Sequence, residues 1–184
     1  MRAEVRRVMP RVRWTWRRFE ALSPDDVYDM LALRSDVFVV EQRCTFLDAD
    51  GCDRDAWHLL ARVDPEDVGR HLRTAPAPLA AYLRSLDPGV KCPELSIGRV
   101  IVAPAYRGTG LGRALMLEGV ARAQAQRPHV AIRISAQLRL EAFYASLGFR
   151  SEGSPYVEDG IDHVDMHLAV TPGLPSEAIE EKQR

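Results

Sequence analysis

The stretch Arg107-Gly108-Thr109-Gly110-Leu111-Gly112-Arg113 constrains this 184-residue chain more than any other. An apolar run, Ser96 to Val102, leads into it and reads as a buried strand. Leu111 to Gln124 leads out of it and reads as a helix. A strand, a glycine-rich turn and a helix together make an anion site. Glycines let the backbone come close, and the uncapped N–H groups of the helix's first turn point at the ligand. The helix dipole adds roughly half a positive charge there, and Arg107 and Arg113 add full ones. A phosphorylated cofactor is the expectation. No Lys-Ser or Lys-Thr follows the last glycine, so this is not a nucleoside-triphosphate P-loop. The Gly108-x-Gly110-x-Gly112 spacing also fails the dinucleotide fingerprint, and no acidic residue stands at a strand end about 20 residues on.

What fits is Arg-x-x-Gly-x-Gly, with Pro104 just before it. This resembles the pyrophosphate loop of the GNAT superfamily, the acetyl-CoA-dependent N-acetyltransferases. A second block, Phe143-Tyr144-Ala145-Ser146-Leu147-Gly148-Phe149, resembles the signature that ends the last GNAT helix, with Gly148 as its C-cap. Three further blocks look like the ElaA-like branch: Leu33 to Cys44, Asp48 to Asp53, and Tyr156 to His163. The resemblance spans about residues 14 to 170. It implies an α/β (α+β) GNAT fold, whose mixed, mostly antiparallel central sheet has splayed central strands and helices on both faces. It implies acetyl-CoA as co-substrate and supplies no acceptor.

Composition agrees with an ordinary soluble globule of one core: 46% hydrophobic residues and a formal net charge of −1. No overall basicity points to nucleic acid, and no run approaches membrane-spanning length. Seven arginines fall between Arg2 and Arg18 (2, 6, 7, 11, 13, 17 and 18), which we read as a solvated extension. Residues 1–11 are therefore taken as a basic extension, 12–170 as a single acetyltransferase domain and 171–184 as a polar tail. With no apolar leader at the amino terminus, and three cysteines (Cys44, Cys52, Cys92) lacking C-x-x-C spacing, thiols in a reducing cytoplasm are expected and a metal site is not. The expected partners are a small-molecule or peptide amine, with no nucleic acid or membrane, on a monomer or homodimer.

Along the chain, Val12 to Glu20 alternates as a first strand. Ser23 caps a helix that starts at Pro24 and runs to about Arg34, with a second short one through Val40. Trp57 to Val63 and Pro78 to Leu86 read as adjacent antiparallel strands around a variable loop, Asp64 to Ala77. Val130 to Ser135 alternates as the strand beside Ser96 to Val102. Phe149 to Gly153 and His163 to Val170 are the last two strands. Asp48 to Asp55 reads as a solvated polar loop or an acidic rim for a cationic amine. Its spacing fails as a calcium loop, since an Asp48 start puts Cys52 at position 5 and Leu59 at position 12.

The resemblance and the chemistry of acyl transfer name candidate residues. Cofactor contacts are expected from the backbone of Val100, Ile101 and Val102 and from Arg107, Gly108, Thr109, Gly110, Leu111, Gly112 and Arg113. Gln137, Phe143 and Tyr144 complete that set. Gln137 stands where many GNAT proteins carry asparagine; the resemblance to ElaA-like chains, which generally have glutamine there, accounts for the difference. Tyr144 is the candidate acid, because a phenol is a reasonable proton donor to a departing thiolate. An acceptor amine must lose a proton, and Glu41, His58 and His163 are the candidate bases. Transfer of a longer acyl group and a non-catalytic acyl-CoA sensor are the alternatives. No Gly-x-Ser-x-Gly supports a hydrolase.

Overall fold

The computed structural model describes residues 8–64, 66 and 77–170. Most of the expected loop after Asp64, the first part of the basic extension and the C-terminal tail lie outside the described residues. Helix α1 (Pro24–Arg34) begins at a capping box. Ser23 Oγ accepts the Asp26 N–H at 3.1 Å, and Asp26 accepts the Ser23 N–H at 3.3 Å, so two orphan donors are satisfied. The short helix expected after it is instead a π-helical turn, Ser35–Glu41, continuous with α1. Its wide turn closes with Gln42 N–H on Val37 O at 3.0 Å.

Seven strands form one sheet: β1 (Val12–Arg18), β2 (Ala56–Val63), β3 (Leu79–Leu86), β4 (Leu95–Val102), β5 (Ile132–Gln137), β6 (Arg150–Glu158) and β7 (Ile161–Leu168). Their spatial order is β1-β2-β3-β4-β5-β7-β6. Every neighbouring pair is antiparallel except β4–β5. That parallel pair needs a crossover, supplied by α2 (Leu111–Gln126). Strand β3 is buried at all its positions, with layers on both sides of it. Leu60, Tyr82 and Ile101 pack under Met30 and Leu33 of α1, while Leu59, Ala61 and Leu83 pack with Leu111, Leu115 and Met116 of α2. The period of two along each strand decides which layer a side chain joins. Gly119 permits the close approach of α2: a Cβ there meets Leu83 Cδ2 at 2.6 Å.

Several boundaries shift by a residue or two from expectation, β1 ending at Arg18 and β7 spanning Ile161–Leu168 among them, and two differences bear on the site. β5 begins at Ile132, because Val130 N–H closes a turn onto Arg127 O instead. β6 runs to Glu158, well past Gly153, and forms a hairpin with β7. The turn is Asp159-Gly160, both left-handed at φ +53° and +78°, as a two-residue hairpin demands. Every residue of β6 is exposed, so no hydrophobic alternation announces the strand. The last helix is short: a 3-10 turn, Leu138–Leu140, followed by α3 (Glu141–Ala145), with Gly148 at φ +96° closing it as a C-cap.

The acidic loop requires a correction. Asp48, Asp50 and Asp53 are not a solvated rim. They face inward onto Arg34 and Arg84, both essentially buried, and onto Arg99 and Lys91. Three carboxylates against four cations leave no acidic field of their own at that wall. No helix among the described residues is long and apolar enough to cross a membrane.

Candidate active site

β4 and β5 pair only at Leu95–Ile132 and Ser96–Arg133. Beyond that point they part, and a cavity of about 760 Å³ opens between them. Val100, Ile101 and Val102 line one wall, and Ile134, Ser135 and Gln137 line the other. Arg107, Gly112, Phe143 and Tyr144 also line it, as do Tyr156, Glu158, Asp159 and His163.

The glycine turn follows from its residues. Gly108 and Gly110 take φ of +74° and +92°, where any side chain is strained. Gly110 is the N-cap of α2 and has no side chain with which to cap it. Thr109 Oγ1 donates to Tyr106 O at 2.8 Å and accepts the Leu111 N–H at 3.3 Å, so it braces the turn. At Gly112 a Cβ would meet Val102 Cγ2 at 3.4 Å, an ordinary contact, where the helix start meets the end of β4. Arg107 and Gly112 line the cavity, whereas Gly108, Thr109, Gly110, Leu111 and Arg113 do not, and Gly108, Gly110 and Arg113 are exposed to solvent. Leu111 is a core residue, and Arg113 ties α2 to the end of α3 by donating to Ser146 Oγ at 2.8 Å and Ser146 O at 3.1 Å. Backbone donors at an uncapped helix start, with arginines either side, are a donor set suited to a diphosphate.

Arg107 is engaged on both sides. Its Nε donates to Val102 O at 2.9 Å, and its two terminal nitrogens grip the Glu41 carboxylate at 2.8 Å each. That bidentate bond holds the Glu41 carboxyl below its ordinary range. One residue on, Gln42 Oε1 accepts from Gln137 Nε2 at 3.0 Å, and Gln137 in turn accepts from Arg139 at 3.0 Å. The end of the π-helical turn thus straps across both parted strands.

The remaining candidates separate clearly. Tyr144 is buried at the cavity wall, and burial pushes its phenol up to about 12. Its ring packs edge-on against Phe143 and Phe149. His163 lines the cavity, stacked on Tyr156, with Nδ1 2.8 Å from Ile161 O. A carbonyl only accepts, so Nδ1 carries a proton, and in the neutral ring the lone pair is at Nε2. His58 is elsewhere: it is fully buried, off the cavity wall, with Nδ1 2.8 Å from the Tyr82 hydroxyl and Nε2 2.9 Å from Asp53 O. Burial lowers its basicity further, which removes it as a base for a substrate. A hydroxyl chain not foreseen from the sequence lies beside His163: Ser135 Oγ is 2.6 Å from Tyr156 Oη, which reaches Asp165 at 3.1 Å.

Residues 85–170 match the acetyltransferase (GNAT) domain family. A UPF0039 protein of Synechocystis is 40% identical over 161 residues, covering 88% of this chain and 97% of the relative. Protein ElaA of Escherichia coli is 35% identical over 157 residues, covering 84% and 95%. The chain belongs to the UPF0039/ElaA family of GNAT-domain proteins. The ElaA crystal structure superposes with a TM-score of 0.74 at 33% identity, covering 85% of this chain and 99% of that one. A Pseudomonas aeruginosa acyl-CoA N-acyltransferase superposes at 0.77 with 36% identity, covering 86% and 100%. The parted strands and glycine turn of this ElaA-family chain are therefore those of a GNAT acyltransferase, whose acyl donor is an acyl-CoA.

Proposed function

We propose that this protein is an acetyl-CoA-dependent N-acetyltransferase of the cytoplasm, transferring acetyl directly to the amine of a small molecule or peptide. The observation that carries the reading is the parting of β4 from β5 immediately before an uncapped, glycine-built helix start. Acetyl-CoA supplies an activated thioester when bound. The glycine turn and Arg107 hold its diphosphate, and the β4 backbone over Val100–Val102 receives the pantetheine amides and the thioester carbonyl. N–H donors fixed at that carbonyl stabilise the charge that develops on its oxygen, an effect typically worth about 3 kcal/mol per well-placed donor.

Proton traffic falls to two residues. His163 Nε2 takes the proton of the attacking amine, and the Tyr144 hydroxyl donates one to the departing sulfur as the N–C bond forms and the S–C bond breaks. His163 suits the first role because its tautomer is fixed by Ile161 O. Glu41 suits it less, because its carboxylate is already spent on Arg107.

Calorimetric titration with acetyl-CoA, longer acyl-CoAs and free CoA tests the reading, repeated with Gly112→Asp. The substitution sets a carboxylate where the helix start meets β4, so binding is expected to fall at least a hundredfold. Folded wild-type protein that ignores acetyl-CoA sinks the reading. Preference for a longer chain replaces acetyl by that acyl group.

A further inference from the structure

Inside β4, where backbone is normally extended, Arg99 sits in the left-handed region at φ +52°. The ladder to β3 slips at the same place: Tyr82 faces Ile101 and Arg84 faces Gly98, so Arg99 and Val100 together oppose Leu83 alone. This is a β-bulge, and it lies where β4 has left β5 and lines the cavity. A left-handed backbone is unfavourable for any residue with a Cβ and persists only when its surroundings impose it. A glycine is available one position earlier, and nothing lies within 4 Å of where a Cβ on Gly98 would sit. The strain nonetheless falls on the arginine, so its side chain must contribute something that glycine at 99 would not.

That side chain is moored. Arg99 Nε lies 2.7 Å from Asp48 Oδ1, a charge contact rather than a straight hydrogen bond. Its Nη2 donates to Asp48 O at 3.1 Å and approaches Asp50 Oδ2 at 3.4 Å. The anchors are themselves fixed. Asp48 also holds buried Arg34, and Asp50 takes both terminal nitrogens of Arg84 at 2.7 Å. The Arg84 pair, against the cost of burial, keeps the Asp50 carboxyl far below its usual range.

We infer that Arg99 is a positioning residue: tied to Asp48 and Asp50, it holds the β4 bulge and so fixes the Val100–Val102 backbone that meets the acyl carbonyl. The acidic loop thereby acts on the reaction through the strand, without touching substrate. The inference rests on the acetyl-CoA reading of this cavity.

The test needs no acceptor. Acetyl-CoA carrying ¹³C at the thioester carbonyl is bound to the wild type, Arg99→Ala and Arg99→Lys, and its carbonyl band is read by isotope-edited infrared spectroscopy. Calorimetry on acetyl-CoA and free CoA accompanies it. In the wild type the bound band falls below that of free acetyl-CoA. In Arg99→Ala the shift is lost and acetyl-CoA binds about tenfold more weakly, the scale of one lost hydrogen bond, while free CoA binds as before. Arg99→Lys, which keeps a cation beside Asp48, recovers at least half of the shift. Should Arg99→Ala not fold, Arg99→Gly takes φ +52° without strain but has no mooring, and it is expected to give a broadened, smaller shift. A full wild-type shift in Arg99→Ala or Arg99→Gly overturns the inference, as does equal weakening of acetyl-CoA and CoA. A wild type that binds no acetyl-CoA overturns the cofactor reading, and this inference with it.

Discussion

Tyr144 and His163 are the residues on which the proposed chemistry turns, and at Tyr144 one substitution separates binding from transfer. Tyr144→Phe keeps the ring that packs on Phe143 and Phe149 and removes only the hydroxyl. Acetyl-CoA affinity is expected to stay within about twofold while turnover falls on the order of a hundredfold, the usual range for a lost general acid. Unchanged turnover sinks the assignment. Burial holds the Tyr144 phenol near 12, so it stays protonated, and able to donate, throughout the neutral range. Glu41 makes the opposite prediction. Its carboxylate occupies the two Arg107 nitrogens that a diphosphate would use. The pair is half-exposed and so weak, under about 1 kcal/mol. Glu41→Gln is expected to tighten CoA by about two- to fivefold in calorimetry. Weaker binding shows that Glu41 supports the site instead of competing for it.

At the scale of elements, the glycine turn was legible because it is local. Glycines before a helix, arginines beside them and an apolar strand ahead need no knowledge of the rest of the chain. The acidic loop was not legible, because each of its carboxylates is explained by a cation distant in sequence: Arg34 on α1, Arg84 on β3, Arg99 on β4. A signal did exist. Each of those arginines interrupts an apolar run, as in Leu83-Arg84-Ser85 within the wholly buried β3, and a buried cation requires a buried acid. Gly98 within the β4 run likewise marks a bulge. Since Asp53 bonds both Arg34 and Arg84, its loss unbalances two buried guanidinium groups at once. Asp53→Ala is expected to cost about 3–5 kcal/mol in denaturant unfolding, as for other buried pairs broken from one side. A loss below about 1 kcal/mol shows that Asp48 and Asp50 suffice.

For the molecule as a whole, the mixed sheet and its helix layers could be anticipated from alternation and from the family resemblance, whereas the buried charge could not. That charge sets how stability depends on pH. His58 is buried and neutral, with burial lowering its pKa from 6.5. Asp50 and Asp53 are lowered from 3.8 by Arg84 and Arg34 although burial opposes the shift, and Asp26 is lowered by Arg62 and Ser23 against the same opposition. All four groups bind protons more readily in the unfolded chain, so each contributes stability that is complete above its unfolded pKa and lost as pH falls. The denaturant midpoint should therefore be flat from pH 8 to about pH 7. It should then fall as unfolded His58 protonates below 6.5, at up to about 1.4 kcal/mol per pH unit for one proton. Below about pH 4 the carboxylates add a steeper decline. His58→Gln separates the two limbs: the decline between about pH 6.5 and 5 should vanish while the one below pH 4 remains. If the upper limb survives that substitution, a different group drives it, and the buried ring between Tyr82 and Asp53 is not what makes this fold sensitive to mild acid.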